Sequence, residues 1–170
     1  ATPPAPWDDV RDGTRPGNAC WQTPADPSTL QSEDCLHADV YVPQQRAAST
    51  TPLPVIVMFY GGGAMMGANS WYNFTAFSSG GEAVVIVPNY RVGPLGFMAT
   101  AELSATAASG TSGNYGLMDC AAAMRWARRN AAAFGGDATR VTAAGQSSGA
   151  TMVWAMLASF GSALRVEARG

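Results

Sequence analysis

Five residues constrain this chain more than any others: Gly145-Gln146-Ser147-Ser148-Gly149, set between two segments of opposite character. Arg140 to Ala144 is a short β-prone run, and Thr151 to Leu157 is an apolar run with helical character. A chain passing from strand to helix this quickly turns too tightly for side chains at both outer positions. A Cβ at either would collide with the neighbouring strand or helix. Gly-x-Ser-x-Gly in this setting is the pattern of a nucleophile elbow, where the serine backbone is strained and its hydroxyl is lifted clear of the sheet. The pentapeptide alone arises by chance in small-residue loops; the strand before it and the helix after it make Ser147 a candidate nucleophile. Such a serine needs a base, and the only histidine, His37, stands in the wrong part of the chain to supply one.

The rest of the chain reads as strands with helical segments between them. Asp39 to Val42 is a short strand stopped by Pro43, and Gln44 to Pro54 is a polar connector. Val55 to Tyr60 is a continuous run of apolar β-formers, expected to be a central strand covered on both faces. Ala83 to Val87 is a second buried strand, ended by Pro88. Trp71 to Phe77 suits one or two helical turns; Asn89 to Met98 is turn-rich, and Ala99 to Gly113 is a small-residue excursion. Tyr115 to Asn130 places Leu117, Ala121, Met124 and Ala127 at helical spacing, with Arg125, Arg128 and Arg129 offset. Residues 1–34 are rich in Pro, Gly, Asp and Thr and read as loop. This alternation predicts an α/β domain, or part of one, around a mostly parallel sheet flanked by helices.

Gly61-Gly62-Gly63 follows the Val55 strand directly. A loop without side chains lets its amides approach a substrate. Two of them, with the N–H of Ser148, would make a three-donor oxyanion hole. Each donor in such a hole contributes roughly 2.7–4 kcal/mol of transition-state stabilisation. Ser148 also opens the following helix, whose N-terminal partial charge favours the same oxyanion.

Composition excludes several classes of function. With 170 residues, 47% hydrophobic and 13% charged, and a net charge of −2, the chain is neither disordered nor a nucleic-acid binder. All 10 cationic residues are arginine. No run reaches the roughly 20 apolar residues of a membrane span. No Cys/His cluster has metal-ligand spacing, and the triple glycine lacks the Lys-Ser/Thr of a phosphate loop, so neither metal nor cofactor is expected. Cys20 and Cys35 flank a polar stretch that would suit a disulfide-closed loop, contributing roughly 3 kcal/mol in the chain-entropy model. Cys120 lies in an alanine-rich helical run and reads as a buried free thiol. Asn73-Phe74-Thr75 is a glycosylation sequon, which with the cysteine pair points to a secretory environment and an extracellular or secreted protein.

Several segments in register carry a family resemblance. Ser32 to Leu36 with Asp39 to Pro43, Tyr60 to Gly63, Pro88 to Phe97, Gly113 to Asp119, and Ala133 to Asp137 with the elbow resemble the carboxylesterase type B and cholinesterase family. The resemblance covers roughly residues 6–157, and Pro6-Trp7 to Cys20 looks like the segment leading to that family's first disulfide. It implies an α/β-hydrolase fold with Ser147 as nucleophile, Gly62, Gly63 and Ser148 as oxyanion hole, and Cys20–Cys35 as the early disulfide. It further implies a structural ion pair between Arg91 and Asp137.

The chain also departs from the family. Gln146 stands where many relatives have Glu, Ser148 where Ala is usual, His37 where Tyr is common, and Ala64 where an aromatic is usual. Choline specificity is unsupported, and Ser159 to Gly170 no longer resembles the family. Family members carry their triad acid and histidine C-terminal to the elbow. Residues 1–170 are therefore expected to be an incomplete hydrolase domain, lacking its first strands and its C-terminal half, whose partners are its own remaining segments and a small-molecule ester. Alone it should be inactive, since loss of the triad base costs roughly 10⁶ in turnover. The expected function is serine-dependent hydrolysis of a carboxylic ester; a non-catalytic adhesion or scaffold protein, or an inactive fragment, is the alternative. Trp71, Phe74 and Phe77 could line a gorge or pack in the core.

Overall fold

Two valine-rich runs set the centre of the structure. A computed structural model describes residues 8–10, 12–23, 29–43 and 51–164. In chain order the strands and helices are β1 (Ala19–Cys20), β2 (Gln31–Ser32), β3 (Ala38–Tyr41), β4 (Leu53–Phe59), α1 (Thr75–Ser79), β5 (Val84–Pro88), α2 (Gly93–Phe97), α3 (Ala101–Thr106), α4 (Tyr115–Asn130), β6 (Gly136–Gly145) and α5 (Ser148–Leu164). The main sheet has the order β3-β5-β4-β6. β4 is parallel to both β5 and β6, while β3 runs antiparallel to β5 at the far edge. All five residues of β5 are buried, but β4 buries only Val55, Val57 and Phe59. Ile56 and Met58, on its other face, stay only half-buried, so β5 is covered on both faces whereas β4, expected to be covered on both, is fully covered on one.

Helices α4 and α5 pack side by side on the face that presents Val55, Val57, Val84 and Ile86, through Leu117, Met124, Met152 and Met156. Tyr60 and Tyr90 close the top of this core. Their rings stack at 4.3 Å, and each phenol donates to the other's carbonyl at 2.7 Å. Burial pushes both phenols up, so they remain protonated donors across the physiological range.

The excursion from Ala99 forms α3 because Thr100 caps it, accepting from the Leu103 N–H at 3.1 Å. Asn73 instead interrupts the stretch expected to be helical. Its Oδ1 accepts from Thr75 N–H at 2.9 Å, an Asx turn, and helix resumes only at Thr75. Phe74 lies between Tyr41 and Phe77 in edge contacts, whereas Trp71 and Phe77 keep much of their surface exposed. β6 begins earlier than expected, with an irregular stretch from Gly136 to Arg140 that ends where Val141 pairs with Val55. Pro6-Trp7 and most of the Gln44 connector fall outside the described residues.

Cys20 and Cys35 form the disulfide, with Cα atoms 4.8 Å apart, next to the parallel contact of β1 with β2. Cys120 is a buried free thiol, and that burial pushes its pKa up. His37 precedes β3, with Nε2 3.1 Å from the Asp34 carbonyl oxygen.

The ion pair expected between Arg91 and Asp137 does not form. Arg91 donates through Nε and Nη2 to Asp119 at 2.7 and 2.8 Å, a bidentate pair with a carboxylate that is almost fully buried. Asp137 pairs with Arg140 at 2.8 Å. The geometry of a parallel sheet explains the exchange. Arg91 lies just past the carboxyl end of β5, whereas Asp137 sits at the amino end of β6, more than ~13 Å away along the strands. Asp119 is brought to Arg91 because α4 comes close one turn earlier: a Cβ on Gly116 would stand 2.3 Å from the Arg91 carbonyl oxygen.

The two pairs should differ sharply in a denaturation experiment. Asp119→Ala strands a guanidinium whose side chain is only 29% exposed, and should lower stability by about 3 kcal/mol. Asp137→Asn, which keeps an acceptor for Thr139 and loses only the more solvated pair with Arg140, should lower the unfolding midpoint at neutral pH by less than Asp119→Ala does. The Thr139 hydroxyl, then the Arg140 guanidinium, hold the Asp137 carboxyl at about 2, below its usual 3.8. The contribution of this group is thus present above 3.8 and lost as pH falls through about 2. A carboxyl-carbon NMR titration of Asp137 with a midpoint near 4 would contradict this assignment.

Candidate active site

The parallel register brings two loops to the same end of the sheet. Phe59, the last residue of β4, lies opposite Gly145, the last of β6. The glycine loop therefore leaves the sheet level with the elbow, and Gln146 N–H seals the join by donating to the Phe59 carbonyl at 3.2 Å. Ser147 has φ 53°, the left-handed region that costs a residue with a Cβ on the order of 1–2 kcal/mol. Two amide-to-carbonyl bonds hold it there, from Ala150 N–H and Thr151 N–H to the Ser147 carbonyl at 2.9 and 3.2 Å. Ser147 is exposed, and its hydroxyl has no hydrogen-bond partner among the described residues.

The outer glycines are required by contact. A Cβ on Gly145 would stand 2.3 Å from the Gly149 carbonyl carbon, and one on Gly149 would stand 2.1 Å from the Phe59 carbonyl oxygen. The first helical turn of α5 is thus pressed against the end of β4.

In the glycine loop Gly62 has φ 119°, and a Cβ there would stand 2.1 Å from the Met66 carbonyl oxygen. The Gly62 carbonyl turns away to accept from Met65 and Met66 N–H at 3.1 Å each. The Gly62 and Gly63 N–H groups have no partner among the described residues. Gly63 and Ser147 are both exposed on this end of the sheet. As the first residue of α5, Ser148 has a main-chain N–H with no carbonyl four residues back inside the helix.

The loop is held from outside by side chains to which the sequence motifs assign no role. The Gln22 amide grips the Gly67 backbone in both directions, accepting from its N–H at 2.7 Å and donating to its carbonyl at 3.0 Å. Gln22 belongs to the disulfide loop, so that loop anchors the far end of the glycine turn. Asn89 donates to the Asn18 and Cys35 carbonyls at 2.9 and 3.0 Å and accepts from Asn69 N–H at 2.9 Å. Tyr72 Oη accepts from Gly61 N–H at 3.3 Å and donates to Gln146 Oε1 at 3.0 Å. The one available signal is a polar residue inside an otherwise tightly turning or apolar segment, as Asn89 is after β5.

His37 lies at the same end of the sheet as Ser147 but beside β3, three strand spacings from β6, or ~14 Å. It is out of reach as a base. Arg91 and Asp119 brace the turn after β5, and Asp137 lies at the opposite end of the sheet from the elbow. Among the described residues no group of three or more His, Cys, Asp or Glu side chains could hold a metal ion, and no helix is long and apolar enough to cross a membrane.

Gly149→Ala forces a methyl into the β4 carbonyls and should destabilise the protein by about 3 kcal/mol, the upper end for overpacking. Chemical denaturation checks this; an unchanged midpoint would show that α5 can move away from β4 at little cost.

The chain matches the family model described as "Carboxylesterase family" over residues 1–166, further toward the C-terminus than the motifs in the sequence suggest. It is 39% identical to the para-nitrobenzyl esterase of Bacillus subtilis (strain 168), over 92% of this chain and 32% of that protein. It is 40% identical to the cocaine esterase of Oryctolagus cuniculus, over 89% of this chain and 30% of the relative. With the bile salt-activated lipase of Bos taurus it shares 40% identity, over 74% of this chain and 21% of the lipase. A solved structure of PNB esterase superposes with a TM-score of 0.80 at 40% identity, covering 92% of this chain and 32% of that one. The chain spans about a third of the length of the para-nitrobenzyl esterase that it matches. It has the α/β-hydrolase fold of these structural neighbours over that third, and it belongs to the carboxylesterase family.

Proposed function

We propose that this protein hydrolyses carboxylic esters with Ser147 as nucleophile. The observation that carries the reading is the strained, exposed serine at φ 53° on the same end of the sheet as two unpartnered amides, Gly62 and Gly63. In the reaction Ser147 Oγ forms a bond to the ester carbonyl carbon while a base takes its proton. The carbonyl oxygen becomes an oxyanion within reach of the Gly62, Gly63 and Ser148 N–H groups. Collapse breaks the ester C–O bond, and the leaving alkoxide takes the proton from the base. Water then repeats the attack on the acyl-enzyme, releasing the carboxylic acid and restoring the serine. We assign the base and its acid partner to sequence outside this chain, since His37 lies at the opposite sheet edge; residues 1–170 would then be one part of a larger hydrolase domain and inactive alone. The names of the relatives support small-molecule esters as substrates.

The same reading places the protein in the secretory pathway. The Cys20–Cys35 disulfide suits an oxidising compartment, and Asn73 is exposed, as a glycosylated asparagine must be.

Fluorophosphonate labelling of the native protein, mapped by mass spectrometry, tests the catalytic role. The expected result is one adduct, on Ser147, absent from Ser147→Ala. Folded native protein that takes no adduct and turns over no p-nitrophenyl ester would leave an adhesion or scaffold role in its place.

A further inference from the structure

The position after the nucleophile carries a hydroxyl as well as a main-chain donor, and the structure gives that hydroxyl a specific partner. Ala64 N–H donates to Ser148 Oγ at 3.0 Å, a bond joining residues 84 apart. Ala64 closes the glycine loop, and it is a residue with a Cβ at φ 58°, a backbone conformation it would not hold unaided. Its carbonyl is held as well, accepting from Gly93 N–H at 2.7 Å. The Ser148 hydroxyl is itself placed beside Tyr90, whose phenol is fixed by its 2.7 Å bond to the Tyr60 carbonyl.

The other end of the loop is tied in the same manner. Gly61 N–H reaches Tyr72 Oη, which reaches Gln146 Oε1. The two side chains flanking Ser147 therefore hold the first and last N–H groups of the segment Gly61 to Ala64. Only the N–H groups between them, on Gly62 and Gly63, are left without partners among the described residues.

We propose that Ser148 is a positioning residue, whose Oγ clamps the oxyanion loop to the nucleophile elbow through Ala64 N–H. This rests on the esterase reading above. The elbow and the loop come from different strands, and the spacing between Ser147 Oγ and the Gly62 and Gly63 donors is set by a bond made by the nucleophile's own neighbour. Donors that stabilise an oxyanion act on the transition state, so loosening them lowers kcat and leaves substrate binding nearly unchanged. An alanine at 148 keeps the main-chain donor and deletes only the clamp.

The test compares Ser148→Ala and Ser148→Thr in the native protein, with p-nitrophenyl acetate as substrate and an aryl trifluoromethyl ketone as transition-state analogue. Ser148→Ala should lower kcat about five- to tenfold, the size of one net hydrogen bond, with KM changed less than about twofold. The ketone should bind more weakly by the same factor, and Ser148→Thr, which keeps the hydroxyl, should recover most of both. Hydrogen exchange at the Ala64 amide should quicken by a similar factor in Ser148→Ala, with the melting temperature lowered by no more than about 4 °C, the shift for one net hydrogen bond. Wild-type-like kcat, ketone affinity and Ala64 exchange in Ser148→Ala would overturn the clamp. So would an equal loss in both variants, which would trace the effect to side-chain fit. A wild-type protein that neither labels at Ser147 nor turns over ester overturns the esterase reading instead. The clamp is then decided by Ala64 exchange alone, faster in Ser148→Ala if it holds and unchanged if it does not.

Discussion

The parallel register that sets Phe59 opposite Gly145 is the constraint on which the candidate site depends. β4 ends in the glycine loop and β6 ends in the elbow, so their pairing decides whether the Gly62 and Gly63 amides stand level with Ser147. A slip of one residue would turn every side chain of β6 to the other face and shift Ser147 by ~3.3 Å along the strand. The register is held by Val55 and Val57 in the core and by the glycine contact between α5 and the Phe59 carbonyl. Structure and site are thus specified by the same packing.

Around that pairing lies a shell of buried polar groups with reciprocal bonds. Tyr60 and Tyr90 satisfy each other's backbone, Gln22 satisfies Gly67, and Arg91 with Asp119 braces the turn after β5. Glycine-rich turns cannot fill space with their own side chains, so their order must come from partners elsewhere in the chain. Each of these partners sits on a different element, so the turns hold their form only when the sheet, the disulfide loop and α4 are assembled together. This explains how a loop with several positive φ values can stay organised while the Gly62 and Gly63 amides keep no partner among the described residues.

Much of the fold is legible in the order of residues alone. The helix Tyr115 to Asn130 has the same limits in the sequence pattern and in the fold, because its apolar spacing is a local property of the chain. The valine-rich runs, the strand–elbow–helix order and the disulfide are legible for the same kind of reason. The short helix after Thr100 and the break at Asn73 are not, since each turns on a single side chain capping a nearby backbone group. Ion-pair partners are not legible either: adjacency along a motif says nothing about which end of a parallel sheet a residue reaches, and so Arg91 meets Asp119 where the motifs suggest Asp137.

By itself the sequence determined the turn chemistry: where glycine must stand, which apolar runs become the central strands and the long helix, and that Ser147 sits in the tight turn between strand and helix. Those features depend on a few neighbouring residues and their steric limits. Tertiary structure alone decided that Asp119 is the carboxylate beside Arg91, that Gln22 grips Gly67 and that the Ser148 hydroxyl reaches Ala64. Each of these contacts joins residues far apart in the chain. They exist because sheet order and register bring particular strand ends together, and no local pattern encodes that meeting.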